Sequence, residues 1–322
     1  MRTHSLLFVL CLFLCCSPAH KQQDKKIIVA HRGASGYLPE HTMESKAMAY
    51  AMQPDYIEQD VVLSKDNIPV VIHDIRLDDV SDVRNKFSSR KRADGHFYVI
   101  DFTFKELQTL AITERFDPVS EQQRYPKRFP KGKSSFRLHS LAQEIELIQG
   151  LNRSTGNDIG IYPEIKNPSF HHTEGKDIST IVLEVLTTYG YTSKEDTCML
   201  QCFDAKELQR IREILHSDLF LVQLIQFEEQ HKNLTQYASY ANGIGPWYKQ
   251  LLAKKEGAAF YFTPLVTDAH ELGLQVHPYT FRADALDEFN SFEEMVDVLL
   301  YEAGADGGFT DFPDAMRALL RK

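Results

Sequence analysis

The apolar run Ile27-Ile28-Val29-Ala30 leads straight into His31-Arg32-Gly33-Ala34-Ser35-Gly36. A strand that ends this way exposes an imidazole and a guanidinium, and its glycines let backbone approach a ligand closely. A capped turn with a surface arginine fits the same residues. A second run contains Glu58-Gln59-Asp60. The two-residue period of a strand puts Glu58 and Asp60 on one face and Gln59 on the other. Two carboxylates side by side in an interior repel each other, and a hard cation relieves the repulsion by taking their oxygens. A solvated edge strand is the weaker alternative, because Ile57, Val61, Val62 and Leu63 suit burial. A third run ends in His73-Asp74, where the carboxylate could orient the imidazole or cap a turn. In Tyr162-Pro163-Glu164-Ile165-Lys166, Glu164 could be a third carboxylate for the same cation and Lys166 a charge for a phosphate oxygen. An ordinary ion pair at a strand end would use the same two residues. Taken together, two histidines, three carboxylates, an arginine and a lysine at strand ends suggest metal-assisted phosphoryl chemistry. The two imidazoles would serve as general acid and base.

Such residues need a scaffold that gathers strand ends. The chain alternates short apolar strands with amphipathic helices, which predicts parallel strands joined by helical crossovers. The expected barrel strands are Ile27–Ala30, Tyr56–Leu63, Gly160–Ile165, Cys198–Phe203, Phe220–Ile225, Asn242–Ile244, Leu274–Pro278 and Gly307–Thr310. Pro69–His73 is read as a hairpin arm returning from the second strand. Helices are expected over His41–Met52 with Thr42 as N-cap, Leu141–Leu151, Asp177–Tyr189, Ala205–Leu215, Thr267–Leu272, Phe292–Ala303 and Pro313–Leu320. The count predicts an α/β fold, a TIM (β/α)₈ barrel, whose reactive groups collect at the C-terminal ends of its strands. About 75–137 breaks the pattern. It is charged and aromatic, with one helical stretch near Phe104–Leu110, and is read as a small insertion packed over the active-site mouth.

The chain has 322 residues and a formal charge of −9, which argues against sequence-independent binding to nucleic acid or anionic lipid. Positive charge for a phosphate must therefore be placed locally. Residues 1–19 read as an export signal: an apolar run from Leu6 to Cys16, too short to span a membrane, precedes Ser17-Pro18-Ala19. Residues 20–26 are a charged linker, and the barrel occupies 27–322. The expected location is periplasmic or secreted, with a lipoprotein anchored at Cys16 as the alternative. Cys198 and Cys202, four positions apart on one strand and so about 13 Å from each other, are expected to be free and buried. His171-His172 is placed in an exposed polar loop, and His277 is taken as a structural histidine.

The residues His31-Arg32-Gly33-Ala34, Pro39-Glu40-His41-Thr42, Glu58-Gln59-Asp60, His73-Asp74 and Pro163-Glu164-Ile165-Lys166 resemble the glycerophosphodiester phosphodiesterases, in particular their periplasmic branch. The likeness continues through Gln201-Cys202-Phe203-Asp204, Gly243-Ile244-Gly245-Pro246, Val276-His277-Pro278-Tyr279 and Phe309-Thr310-Asp311-Phe312-Pro313. The resemblance implies hydrolysis of a small glycerophosphodiester to sn-glycerol 3-phosphate and an alcohol. It implies His31 and His73 as the acid/base pair, and Glu58, Asp60 and Glu164 as ligands of a divalent metal, usually calcium, with magnesium the alternative. It further implies Arg32 and Lys166 as phosphate contacts. Many relatives carry asparagine where this chain has His41. Gln201, Phe203, Trp247 and Phe281 are candidates for substrate contact, with Tyr279 beside them, although aromatics at strand ends also serve packing. The rival readings are a surface binding or adhesion protein on the same barrel, a phospholipase-D-like enzyme acting on intact lipids, and a glycosidase. A glycosidase has no need of two strand-end histidines and a third carboxylate.

Overall fold

The computed structural model describes residues 25–320. The expected signal and Cys16 lie outside that range, as does most of the linker.

Eight parallel strands form the barrel: β1 (Ile27–Ala30), β2 (Tyr56–Leu63), β4 (Gly160–Ile165), β5 (Met199–Cys202), β6 (Phe220–Ile225), β7 (Gly243–Pro246), β10 (Gln275–Val276) and β11 (Gly307–Thr310). Their order, β10-β7-β6-β5-β4-β2-β1-β11, follows the chain around a ring. The last seam is closed by Asp306 N–H to Val276 O (2.9 Å), Phe309 N–H to Pro278 O (3.0 Å) and Phe281 N–H to Phe309 O (2.7 Å). The TIM barrel expected from the sequence is thus the architecture. β3 (Pro69–Val71) runs antiparallel to the end of β2, as the hairpin reading required. The sequence reading left the small hairpin β8 (Leu252–Glu256) and β9 (Ala259–Phe262) unassigned.

Helices cover the outside and bury one face each against the strands. Thr42 does cap Met43–Ala51, accepting from Ser45 N–H. Ser140 opens Leu141–Thr155 with a reciprocal capping box, and Gly156 ends it at φ 75°, a left-handed position that favours glycine. Between these two helices and β2 lies a fully buried polar knot. The Lys46 ammonium pairs with Glu144 (2.9 Å) and donates to the Glu58 carbonyl, while Gln59 Nε2 and His139 Nε2 also bind Glu144 (2.8 and 2.7 Å). Burial opposes ionisation of Glu144, but Lys46 and His139 outweigh it and push its carboxyl down to about 2. The knot holds the outward face of β2, so the carboxylates on its inward face have a fixed backing.

The expected place of His171 does not hold. His171 is not in an exposed loop. Pro168 starts a helix over Pro168–Thr173, since its missing N–H costs nothing in a first turn. His171 is buried there, its Nε2 accepting Leu63 N–H (3.1 Å) and its Nδ1–H donating to Asn167 O (3.0 Å). His172 stays partly exposed beside Glu207. Cys198 and Cys202 are free and buried, and His277 is buried against the Tyr162 hydroxyl (3.1 Å).

The insertion has a core of its own, with Leu77, Val80, Phe97, Phe102, Leu107 and Phe136 packed on Val62, Val70 and Ile72 of the hairpin. It also buries Glu114, 3% exposed, whose Oε2 has no hydrogen-bond partner among the described residues. Burial, then the Glu40 charge, raises this carboxyl to about 8 against the pull of Arg128. A carboxyl raised on folding keeps its proton longer in the native state. Its contribution is intact below the unfolded value and is lost as pH climbs through about 8. Glu114→Gln removes that loss. It should match wild type near the unfolded carboxyl range and exceed it by about 2 kcal/mol or more above the folded value. Denaturant unfolding on both sides of the window checks this, and equal stabilities at high pH would refute it.

Candidate active site

The chain bends sharply after β1, and that bend creates the first part of the site. Arg32 (φ 59°) and Gly33 (φ 92°) take left-handed backbone, and a Cβ on Gly33 would lie 2.6 Å from Ser45 Oγ. His31 and Arg32 are thereby turned over the barrel mouth. Arg32 N–H donates to Glu58 Oε2 (2.9 Å), which ties the bend to the next strand.

Glu58 and Asp60 point into the barrel, and Gln59 points outward as the strand period requires. In register, Asp60 lies opposite Glu164 on β4, and Glu164 opposite Gln201 on β5. Carboxylate oxygens of Glu58, Asp60 and Glu164 come within 4.8 Å of one another. Lys166 Nζ donates to Glu164 Oε1 (2.7 Å) and lies 3.7 Å from Asp60 Oδ1. His41, held at φ 54° where asparagine is also tolerated, donates from Nε2 to Asp60 Oδ2 (2.7 Å).

The electrostatics are those of a site built around more negative charge than it can hold alone. Burial and the Asp60 charge hold Glu58 well above the usual carboxylate range. Burial, then the Asp60 charge against the pull of Lys166, takes Glu164 up to about 8. Burial would raise Asp60 too, but Lys166, His73 and His41 outweigh it and keep it ionised. Asp60 Oδ1 and Gln201 Oε1 are buried with no hydrogen-bond partner among the described residues. Three converging carboxylates, one with a buried oxygen that no hydrogen bond from the described residues reaches, are a donor set of hard oxygens, which fits a divalent cation such as calcium or magnesium.

Two imidazoles flank this group. His31 Nδ1–H donates to Asp311 Oδ1 (2.5 Å), leaving Nε2 directed at the site, 3.8 Å from Glu58 Oε2. His73, just past β3, donates from Nδ1 to Asp74 Oδ1 (2.8 Å). Burial, aided by Arg32, lowers each ring to about 4, so both stand neutral, with no hydrogen bond to either Nε2 among the described residues.

All of these converge on one cavity of about 180 Å³, which Gln201, Phe203 and Trp247 also line. Phe203 and Tyr279 meet edge to face at 5.9 Å, and Trp247 is 42% exposed at the rim. Phe281 is a correction. It is fully buried away from the cavity, with its ring 2.3 Å from where a Cβ on Gly308 would sit, so it packs the last seam. Its neighbours Tyr279, Thr280 and Arg282 face the cavity instead. Sequence reasoning also missed Asp311 as the partner of His31. Its only signal was a carboxylate at the C-terminal end of β11, the same kind of position that singled out His31.

A family model described as the glycerophosphoryl diester phosphodiesterase family matches residues 31–315. A glycerophosphodiester phosphodiesterase of Haemophilus influenzae is 49% identical over 325 residues, covering 91% of this chain and 89% of that protein. One from Treponema pallidum is 40% identical, covering 90% of each. Among solved structures, an Oleispira antarctica phosphodiesterase in complex with its product sn-glycerol-3-phosphate superposes with a TM-score of 0.61 at 20% identity, over 91% of this chain and 96% of that one. A glycerophosphodiester phosphodiesterase of Agrobacterium tumefaciens gives 0.61 at 21% identity, over 91% of this chain and all of that one.

Proposed function

Because the chain belongs to the glycerophosphoryl diester phosphodiesterase family, we propose that it cleaves small glycerophosphodiesters to sn-glycerol 3-phosphate and an alcohol by two-histidine acid/base catalysis at a divalent metal. It is an enzyme, a glycerophosphodiester phosphodiesterase. The observation that carries the finer reading is the convergence of three carboxylates and two carboxylate-bound imidazoles on one cavity.

Glu58, Asp60 and Glu164 would hold the metal, with calcium the ion of choice. When bound it supplies positive charge to the non-bridging phosphate oxygens. Arg32 and Lys166 line the same cavity and add positive charge to it. The aromatic wall of Phe203, Trp247 and Tyr279 receives the glycerol carbons. The leaving alcohol points to the adjoining charged cavity, which insertion residues line with His31 and His73.

His31, the more enclosed ring, takes a proton at Nε2 from the nucleophile, either water or the neighbouring glycerol hydroxyl. His73, more open to solvent, first takes up a proton at Nε2, drawn by the negative charge of the bound phosphodiester, and then gives it to the leaving alcohol. If the glycerol hydroxyl attacks, the rings exchange roles while water opens the cyclic phosphate. Each proton transfer contributes about 10²–10⁴-fold. Residues 1–19 direct export in this reading, to a periplasmic or secreted location, with anchoring at Cys16 as the alternative.

The test is incubation of the purified protein with calcium and glycerophosphocholine. One choline should appear per sn-glycerol 3-phosphate. Phosphocholine and glycerol as products, or an untouched diester, would reject the reaction. Choline released from lysophosphatidylcholine at a comparable rate would favour the phospholipase-D-like reading.

A further inference from the structure

Each imidazole is oriented by a carboxylate, and each of those carboxylates is gripped by an arginine of the insertion. Asp311 gives Oδ1 to His31 and Oδ2 to Arg128 Nη2 (2.6 Å) and Arg282 Nε (2.8 Å). Arg128 is fixed in turn by Asp284 (2.9 and 3.0 Å), by the Ser35 carbonyl (3.2 Å) and by the Tyr125 ring 3.8 Å beneath it. Asp74 gives Oδ1 to His73 and Oδ2 to Arg115 Nη1 (2.7 Å). The other edge of Arg115 binds both oxygens of Glu40 (2.6 and 3.3 Å), and Glu40 also holds Arg32 (3.0 Å). The Arg115 and Arg128 side chains are only 7% and 5% exposed, and their nitrogens are committed.

A carboxylate held through one oxygen can swing about its last torsion, and the ring it orients swings with it. Pinning the second oxygen to a planar, buried guanidinium removes that freedom. We propose that the insertion is a two-armed positioning element: Arg128, through Asp311, fixes His31, and Arg115, through Asp74, fixes His73. This rests on the acid/base reading of the two rings for its catalytic consequence, but not for its structural one. The arms are unequal. Asp311 keeps Arg282 when Arg128 is lost, whereas the second oxygen of Asp74 has Arg115 alone among the hydrogen bonds of the described residues. Arg115 is therefore the more critical arm.

The test has a readout that needs no turnover. In protein labelled with ¹⁵N-histidine, the Nδ1 protons of His31 and His73 should give slowly exchanging downfield signals. Arg115→Met should shift or erase the His73 signal alone, and Arg128→Met should weaken the His31 signal by a smaller margin. Arg92→Met is the control, because Arg92 pairs with Asp101 inside the insertion and with Glu174 outside it, and lines neither cavity that the rings share. It should leave both signals and kcat unchanged. In turnover of glycerophosphocholine, Arg115→Met should lower kcat by up to about 100-fold, the cost of a misplaced catalytic group, with KM unchanged. Arg115→Lys, which can still reach Asp74, should keep the ring signal and recover part of kcat, and Arg115→Gln serves in place of the methionine variant if that one does not fold. Unaltered ring signals in Arg115→Met or Arg115→Gln with kcat intact would overturn the proposal, as would loss of the His73 signal in Arg115→Lys equal to that in Arg115→Met, or Arg92→Met losses equal to those of Arg115→Met. A wild type inactive on the diester but with ring signals that respond as described would reject the catalytic reading and leave the clamp standing.

Discussion

Alanine at His31 or His73 should reduce kcat by about 10²–10⁴-fold, with the fold and its melting temperature nearly unchanged. The fold should survive because neither ring belongs to the apolar core. Asp311 keeps two arginines when His31 is removed, and Asp74 keeps Arg115 when His73 is removed. The two variants should then part company with leaving group. An acid is needed only when the departing alcohol is a poor leaving group. A diester bearing a nitrophenolate departs without a proton, so it should restore much of the rate to His73→Ala and little to His31→Ala. The opposite pattern would exchange the roles of the rings. Near-wild-type turnover of glycerophosphocholine by either variant would remove that histidine from the mechanism altogether.

Why these residues could be found in the sequence, and others could not, follows from the range over which each is specified. Glu58, Asp60 and Glu164 were legible because strand period is local. Alternation among Ile57, Val61 and their neighbours fixes which side chains face inward, and parallel pairing sets Asp60 beside Glu164. The barrel was legible for the same reason, since each strand and crossover helix carries its own pattern. Asp311 and His31 are 280 residues apart, and only closure of the ring brings them together. Arg115 and Arg128 lie in a segment with little periodicity, among other charged residues, so nothing local separates them from surface arginines. Phe281 shows the converse failure. An aromatic near a strand end is ambiguous until the seam is built, and here the bare backbone of Gly308 accepts its ring, sending it into the core. His171 was misplaced because His171-His172 reads as polar, whereas Pro168 had already committed the segment to a helix packed on β2.

Removing divalent metal should abolish turnover by a comparable factor, and the stability of the metal-free protein should show why. Charge stabilisation by a metal is worth several kcal/mol in a transition state, so chelation should cost kcat about 10²-fold or more, reversed by calcium and less well by magnesium. Without a cation, Glu58 and Glu164 are held above their ordinary range by burial and by Asp60, which means that they destabilise the fold whenever they are ionised. Calcium should therefore raise the melting temperature by several degrees once it exceeds its dissociation constant about 100-fold, a gain of about 2.7 kcal/mol. Glu164→Gln turns this into a test with two signs. The uncharged amide relieves repulsion, so the metal-free variant should melt at or above metal-free wild type. The same change removes a ligand, so calcium should stabilise the variant far less than wild type, and its kcat should stay low at calcium levels that saturate the native enzyme. A surface carboxylate would give neither sign. Turnover indifferent to chelation, together with a melting temperature that ignores calcium in wild type, would mean that the three carboxylates converge for some purpose other than holding a metal.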